Sequence, residues 1–202
     1  MVSTIREDSR SFAVGFGGDE MKALRGTDLK RFHREMRKEY PATHHIAAIL
    51  QSVEYPANVG SIFRIADAAD LDELILAGIT PTPDNPTVAK VGRGKHTRVP
   101  WRYVADAAEA IREVKAEGYR VYALELTAGA SPYHTVEWPE KVCLVVGHED
   151  HGVTKATLAM CDEAIFLPMW GKGASLNVHV ALGIVVYQIR VRGLLETDPS
   201  RS

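Results

Sequence analysis

A chain of 202 residues with 24 Lys+Arg against 26 Asp+Glu has a formal net charge of -2; it is long enough to bury the core of one α/β domain, and its overall field gives no reason to expect a polyanionic partner. Cys143 in an apolar run and Cys161 near acidic residues form neither a disulfide framework nor a zinc-ligand spacing. No apolar run approaches the roughly 18 residues of a membrane span, and the charged start (Arg6, Glu7, Asp8, Arg10) lacks the apolar core of a secretory signal, so a soluble, cytoplasmic protein is expected.

Residues 1–18 mix Ser, Arg and acidic residues with the glycines of Gly15-Phe-Gly-Gly18, a composition that favours a mobile arm. From Asp19 to Glu39 the apolar spacing of Met21, Leu24, Leu29, Phe32 and Met36 predicts a helix, with Gly26 as a candidate break and Pro41 as its stop. Five basic residues, Lys30, Arg31, Arg34, Arg37 and Lys38, crowd its second half. An α/β body follows: strand Ile46–Leu50, helix Val59–Ala69 and strand Glu73–Ala77, a βαβ opening that predicts parallel strands. Pro81–Pro86 reads as a loop. The segment 85–105 contains no acid and five basic residues, Lys90, Arg93, Lys95, Arg98 and Arg102, interleaved with Trp101 and Tyr103. Asp106–Gly118 is a helix closed by a glycine, followed by strand Arg120–Leu126, strand Val142–Val146, a helix near Lys155–Cys161, strand Ala164–Leu167 and a last helix over about Leu176–Leu195. The division expected is a basic N-terminal extension (1–45), one α/β domain (46–195) and a tail (196–202).

Three strand-to-helix junctions carry polar residues. Asn58-Val-Gly60 opens the first helix, where Asn58 either caps it or serves a site, and Arg64 lies further along, able to pair with Asp67 or to reach a substrate. Gly147-His-Glu149-Asp-His-Gly152 ends an apolar strand; Glu149 suits a substrate-orienting carboxylate or an acceptor for helix N-terminal amides. His148 and His151 beside it lack a third ligand, so no metal is expected. Leu167-Pro-Met-Trp-Gly171 runs through a glycine-rich turn into Ser175-Leu-Asn177-Val, the kind of junction at which α/β sheets bind ligands. Ser175 is not in a nucleophile elbow, and the first strand is not followed by the G-x-G-x-x-G turn of dinucleotide-binding sheets.

Asn58-Val-Gly60-x-x-x-Arg64, Gly147-x-Glu149-x-x-Gly152 and Leu167-Pro-Met-x-Gly171-x-x-x-Ser175-Leu-Asn177-Val together resemble the three ordered motifs of the SpoU-type (TrmH-like) RNA 2′-O-methyltransferases of the SPOUT superfamily, over about residues 46–193. The resemblance implies a mostly parallel α/β sheet flanked by helices with a C-terminal trefoil knot, a topology that periodicity cannot reveal. It also implies S-adenosylmethionine as methyl donor and a homodimer whose site draws on both subunits. By position, Leu124, Gly147, Leu167, Met169, Gly171 and Leu176 match residues around the cofactor. Arg64 matches the catalytic arginine, and Asn58, Glu149, Ser175 and Asn177 match the other polar positions of the active site. His179 and Gln188 depart from the pattern, which more often has a small residue and a Glu there; a packed helix histidine is one reading of His179 and an altered dimer or substrate contact the other.

The reaction implied asks for alignment of a ribose 2′-hydroxyl with an electrophilic methyl group and for removal or sharing of a proton. Arginine stays protonated at neutral pH, so Arg64 is expected to hold a phosphate and position the hydroxyl; the alternative, that it acts as the base, requires a site that favours its neutral form. Arg31, Arg34, Lys90, Arg93, Lys95 and Arg98 are the expected phosphate contacts, with ordinary solvated faces as the alternative. Trp101 and Tyr103 either stack on bases or anchor the body. The expected function is ribose 2′-O-methylation of structured RNA, tRNA ahead of rRNA, with a noncatalytic RNA-binding protein of the same fold as the alternative.

Overall fold

The computed structural model describes residues 23–173 and 175–196, the last three as backbone alone. The expectations for the 1–18 arm, for a helix start at Asp19 and for the tail past Glu196 lie outside the described residues. Two units divide after Pro41. The first contains α1 (Gly26–Glu39). Gly26 adopts φ 55, a left-handed conformation that suits glycine, so it starts the helix instead of interrupting one. All five basic residues of α1 are exposed.

The second unit is built on one sheet: β1 (His45–Gln51), β2 (Glu73–Ala77), β3 (Trp101–Val104), β4 (Arg120–Leu124), β5 (Ser131–Pro132), β6 (Lys141–Val146) and β7 (Glu163–Phe166). The order is β3-β2-β1-β6-β4-β7-β5, and every pairing is parallel. The two central strands are apolar throughout, Ile46-Ala-Ala-Ile-Leu50 and Val142–Val146, because both faces are covered. Alternate side chains supply two cores: Ile46, Ala48 and Leu50 on one face with Val142, Leu144 and Val146, and Ala47 and Ile49 on the other with Cys143 and Val145.

Helices α2 (Pro56–Ala69) and α6 (Val178–Glu196) pack on the first face, and α4 (Ala107–Ala116) on the second. α4 forms for reasons visible in its residues. Asp106 caps it by accepting from Ala108 N at 3.0 Å, and Ala107, Ala110, Ile111 and Val114 make a buried stripe at helical spacing. Arg190 of α6 binds the far end of α2: its Nε donates to Ala69 O at 2.8 Å, and its other nitrogens donate to the carbonyls of His44 and Asp70. Carbonyls without a partner at a helix C-terminus are thus satisfied by a side chain from another helix. Burial lowers the pKa of Arg190, against the opposing pull of Asp70 and Asp72.

Several elements differ from expectation. The basic segment 85–105 is ordered: α3 (Pro86–Gly92) starts on Asn85, whose side chain accepts from Thr87 N at 2.9 Å, and a 3-10 turn, Lys95–Thr97, leads to β3. Trp101 belongs to β3, with its ring edge-on to Phe63 at 6.3 Å, and Tyr103 donates to Gly78 O at 2.9 Å. Both aromatics anchor the sheet edge. β5, of two residues, pairs with β7 where no strand was expected, and α5 (Lys155–Leu158) is shorter than its pattern.

Candidate active site

The chain doubles back in sheet order at β1 and β6, the switch point at which open α/β sheets bind ligands beyond the strands' carboxyl ends. A cavity of about 630 Å³ opens there. Its walls come from the residues that follow four strands and from the start of α6: Tyr55 and Asn58 after β1, Leu124–Leu126 after β4, Val146–Gly152 after β6, Phe166, Leu167 and Met169 after β7, then Ser175–Val178 and Ala181. Of the expected residues, Asn58, Glu149, Ser175, Asn177, Leu124, Gly147, Leu167, Met169 and Leu176 line this one cavity. Gly171 lies exposed on the same loop and is outside the lining, as is Arg64.

Glu149 joins the first junction to the second. Pro56 occupies the first helical position of α2 and Tyr55 offers no side-chain cap, so the amides at this helix start need an acceptor from elsewhere. Glu149 supplies it, with Oε2 accepting from Glu54 N at 3.0 Å and Oε1 from Tyr55 N at 3.3 Å and from Asn58 Nδ2 at 2.6 Å. A carboxylate against a helix N-terminus is favoured by the dipole as well as by the bonds. These bonds are the amide contacts that one of the two readings of Glu149 expected. Asn58 is buried in the first turn and does not cap; its amide bridges Glu149 and the Nδ1 of His179 at 3.1 Å.

Asn177 does cap, accepting from His179 N at 3.1 Å at the start of α6. The Gly147 loop is closed by paired backbone bonds, His148 N to Gly152 O at 3.1 Å and Gly152 N to His148 O at 2.8 Å. A Cβ on Gly147 would stand 2.2 Å from Gly152 C and O, so this close approach requires glycine. Glu125, which sequence reading missed, accepts from Val153 N at 2.9 Å and Leu126 N at 3.1 Å and ties β4 to that loop. His148 accepts from Asp150 N at 3.0 Å on Nδ1, which places its proton on Nε2, 3.1 Å from Glu54, and its ring lies tilted by 36° against that of His151, centroids 4.6 Å apart.

Arg64 is exposed and makes no hydrogen bond or ion pair with any described residue. Asp67, the partner expected if Arg64 served only the fold, is occupied: it pairs with Lys95 and, at 3.9 Å, with Arg98. At about 100° per residue, Arg64 is turned well away from Asn58 and falls on the stripe of Gly60 and Asp67. That stripe faces α3 and the 3-10 turn, since a Cβ on Gly60 would touch Val91 at 2.8 Å. Arg64 therefore belongs to the basic surface of Lys95 and Arg98, not to its own chain's cavity. Lys90 and Arg93 make no ion pair with a described residue, Arg31 pairs with Asp28 at 3.8 Å within α1, and Arg34 is exposed there.

Residues 45–187, the part that contains this sheet and cavity, match the SpoU rRNA Methylase family. The chain belongs to this family. It is 36% identical over 155 residues to the 23S rRNA (guanosine(2553)-2′-O)-methyltransferase RlmP of Bacillus subtilis, covering 77% of this chain and 62% of that protein. It is 31% identical over 159 residues to the tRNA (guanosine(18)-2′-O)-methyltransferase of Thermus thermophilus, covering 79% of each. An AdoMet-bound rRNA methyltransferase from Sinorhizobium meliloti, 29% identical, superimposes with a TM-score of 0.70 over 78% of this chain and 60% of that one. The chain thus spans about 62% of the length of the Bacillus subtilis enzyme. Among the described residues no helix is long and apolar enough to cross a membrane.

Proposed function

We propose that this protein is an S-adenosylmethionine-dependent methyltransferase that modifies a ribose 2′-hydroxyl in structured RNA, tRNA ahead of rRNA. The observation that carries the reading is the convergence of three separated junctions on one cavity, with the first two joined by the 2.6 Å Asn58–Glu149 bond. The cavity's volume lies in the range of cofactor sites, and its walls fit the cofactor. Main-chain groups of the loops after β4, β6 and β7 are available to read an adenine edge, Leu124, Leu167 and Leu176 give apolar contact, and Gly147 keeps side-chain bulk out of the tightest turn. When bound, the cofactor supplies an electrophilic methyl group on a sulfonium centre. Asn58, Glu149, Ser175 and Asn177 fix the polar wall. Arg64, with its charge unpaired, grips a phosphate and orients the ribose, aided by Lys90, Arg93, Lys95 and Arg98.

Because Arg64 faces away from its own cavity, the reaction centre is assembled from two copies of the chain. The second face of α6 supports this: Val180, Ile184, Tyr187 and Val191 are 37–48% exposed and recur at helical spacing, and an apolar stripe of this kind is normally covered. Sedimentation should give a dimer, and charged residues at Ile184 and Tyr187 should yield an inactive monomer. Methyl transfer is tested by incubating the protein with S-adenosylmethionine and purified tRNA or rRNA and digesting the RNA for mass spectrometry of ribose-methylated nucleosides. Methylation of rRNA alone would replace tRNA as substrate. RNA binding without any methyl transfer would favour the noncatalytic alternative.

A further inference from the structure

The bond between His179 and Asn58 has a defined direction. A carboxylate only accepts, so Asn58 must present Nδ2 to Glu149, and its Oδ1 therefore faces His179 Nδ1 at 3.1 Å. An amide oxygen also only accepts, so the proton between them sits on His179 Nδ1. The result is a polarised chain, His179 Nδ1–H to Asn58 Oδ1 and Asn58 Nδ2–H to Glu149 Oε1, that ends on the carboxylate holding the start of α2. His179 sits in the first turn of α6, its backbone N–H bound to Asn177 Oδ1, directly after the Ser175–Asn177 turn of the cavity wall. One imidazole thus connects all three junctions of the site.

We infer that His179 is a positioning residue that orients the Asn58 amide and, through it, fixes α2 and the Ser175–Asn177 turn in the register methyl transfer needs. The inference rests on the proposed activity. It also fits the surroundings, because Asn58 is 6% exposed and a buried amide oxygen deprived of its donor is costly. Burial lowers the pKa of His179, which keeps the imidazole neutral with its single proton committed to Asn58.

Two measurements test it. Nitrogen-15 NMR of the His179 ring should find the proton on Nδ1 in the wild-type protein, and Asn58→Ala should release it to the mixture usual for free imidazole, in which Nε2–H prevails. Kinetics should show His179→Ala lowering kcat about tenfold, the rate equivalent of one lost hydrogen bond, while the Kd for S-adenosylmethionine changes less than about threefold. His179→Asn, whose Nδ2 overlaps the place of imidazole Nδ1, should recover most of the rate, and His179→Gln should not. Adding Asn58→Ala to His179→Ala should cost no more than Asn58→Ala alone. An Nε2–H tautomer in the wild type, or equal rates for the Ala, Asn and Gln variants, would overturn the inference. A wild-type protein that methylates no RNA would instead sink the proposed activity, with the tautomer still reporting on the bond.

Discussion

Replacing Glu149 by Gln preserves shape and removes charge, and the structure says what that does. Three donors converge on this carboxylate: Glu54 N, Tyr55 N and Asn58 Nδ2. A Gln amide has one accepting oxygen, and its NH2 would oppose one of those donors. The half-buried Asn58 bond to a charged acceptor is worth about 1.5–3 kcal/mol, whereas the two backbone amides reach solvent and contribute less. With its oxygen in the place of Oε1 the Gln keeps Asn58 and Tyr55 N on a neutral acceptor and sets its NH2 against Glu54 N; turned over, it keeps Glu54 N and sets its NH2 against both Tyr55 N and Asn58 Nδ2. Either arrangement loses the acceptor's charge and opposes donor to donor, which is expected to lower stability by about 2 kcal/mol, a Tm shift of roughly 4–8 °C for a chain of this size. Scanning calorimetry of both proteins, with chemical denaturation to check the free energy, reads this directly. A loss below about 0.5 kcal/mol, the scatter of ordinary surface substitutions, would refute the view that Glu149 caps α2 from across the sheet.

Arg64→Ala should abolish methyl transfer yet move stability by less than about 0.5 kcal/mol, because the side chain is exposed and unpartnered; a large Tm change would show that it holds the fold. Gly147→Ala should leave the circular-dichroism spectrum intact and remove S-adenosylmethionine binding by calorimetry, since the added methyl meets backbone at 2.2 Å. The thiols should be inert: burial pushes Cys161 up to about 11 and Cys143 higher still, so alkylation at pH 8, followed by mass spectrometry, should be slow in the native protein and fast in urea. Acid should weaken the fold through His179. Its folded pKa is lowered by burial, so below about pH 6.5 the unfolded chain takes up the proton more readily and stability falls with pH; His179→Asn should flatten that limb of a denaturation-versus-pH curve.

Much of this architecture was readable in order along the chain and little of it in space. β1, β2, β6 and α4 announce themselves because their signals are local: an apolar run, or Asp106 placed one residue before a buried stripe. α3 was missed although Asn85-Pro86 is a cap followed by a favourable first residue, because the pair closes a proline-rich stretch that reads as loop. β3 and β5 are short edge elements whose pairing is set by partners far away in sequence. The same limit separates the site residues. That Asn58, Glu149, Ser175 and Asn177 meet follows from strand order once each is placed at a carboxyl end. What each does there depended on contacts no spacing contains: Glu149 caps a helix 95 positions before it, and His179, readable as a packing residue, finds Asn58 across 121. Arg64 is the sharpest case. Its phase on α2 was computable from the sequence, but the cavity's direction was not, and only the two together reveal that the residue expected to govern the chemistry turns its back on its own pocket. In the proposed two-copy assembly a single copy would be inert, which makes the apolar face of α6 and the charge of Arg64 two parts of one requirement.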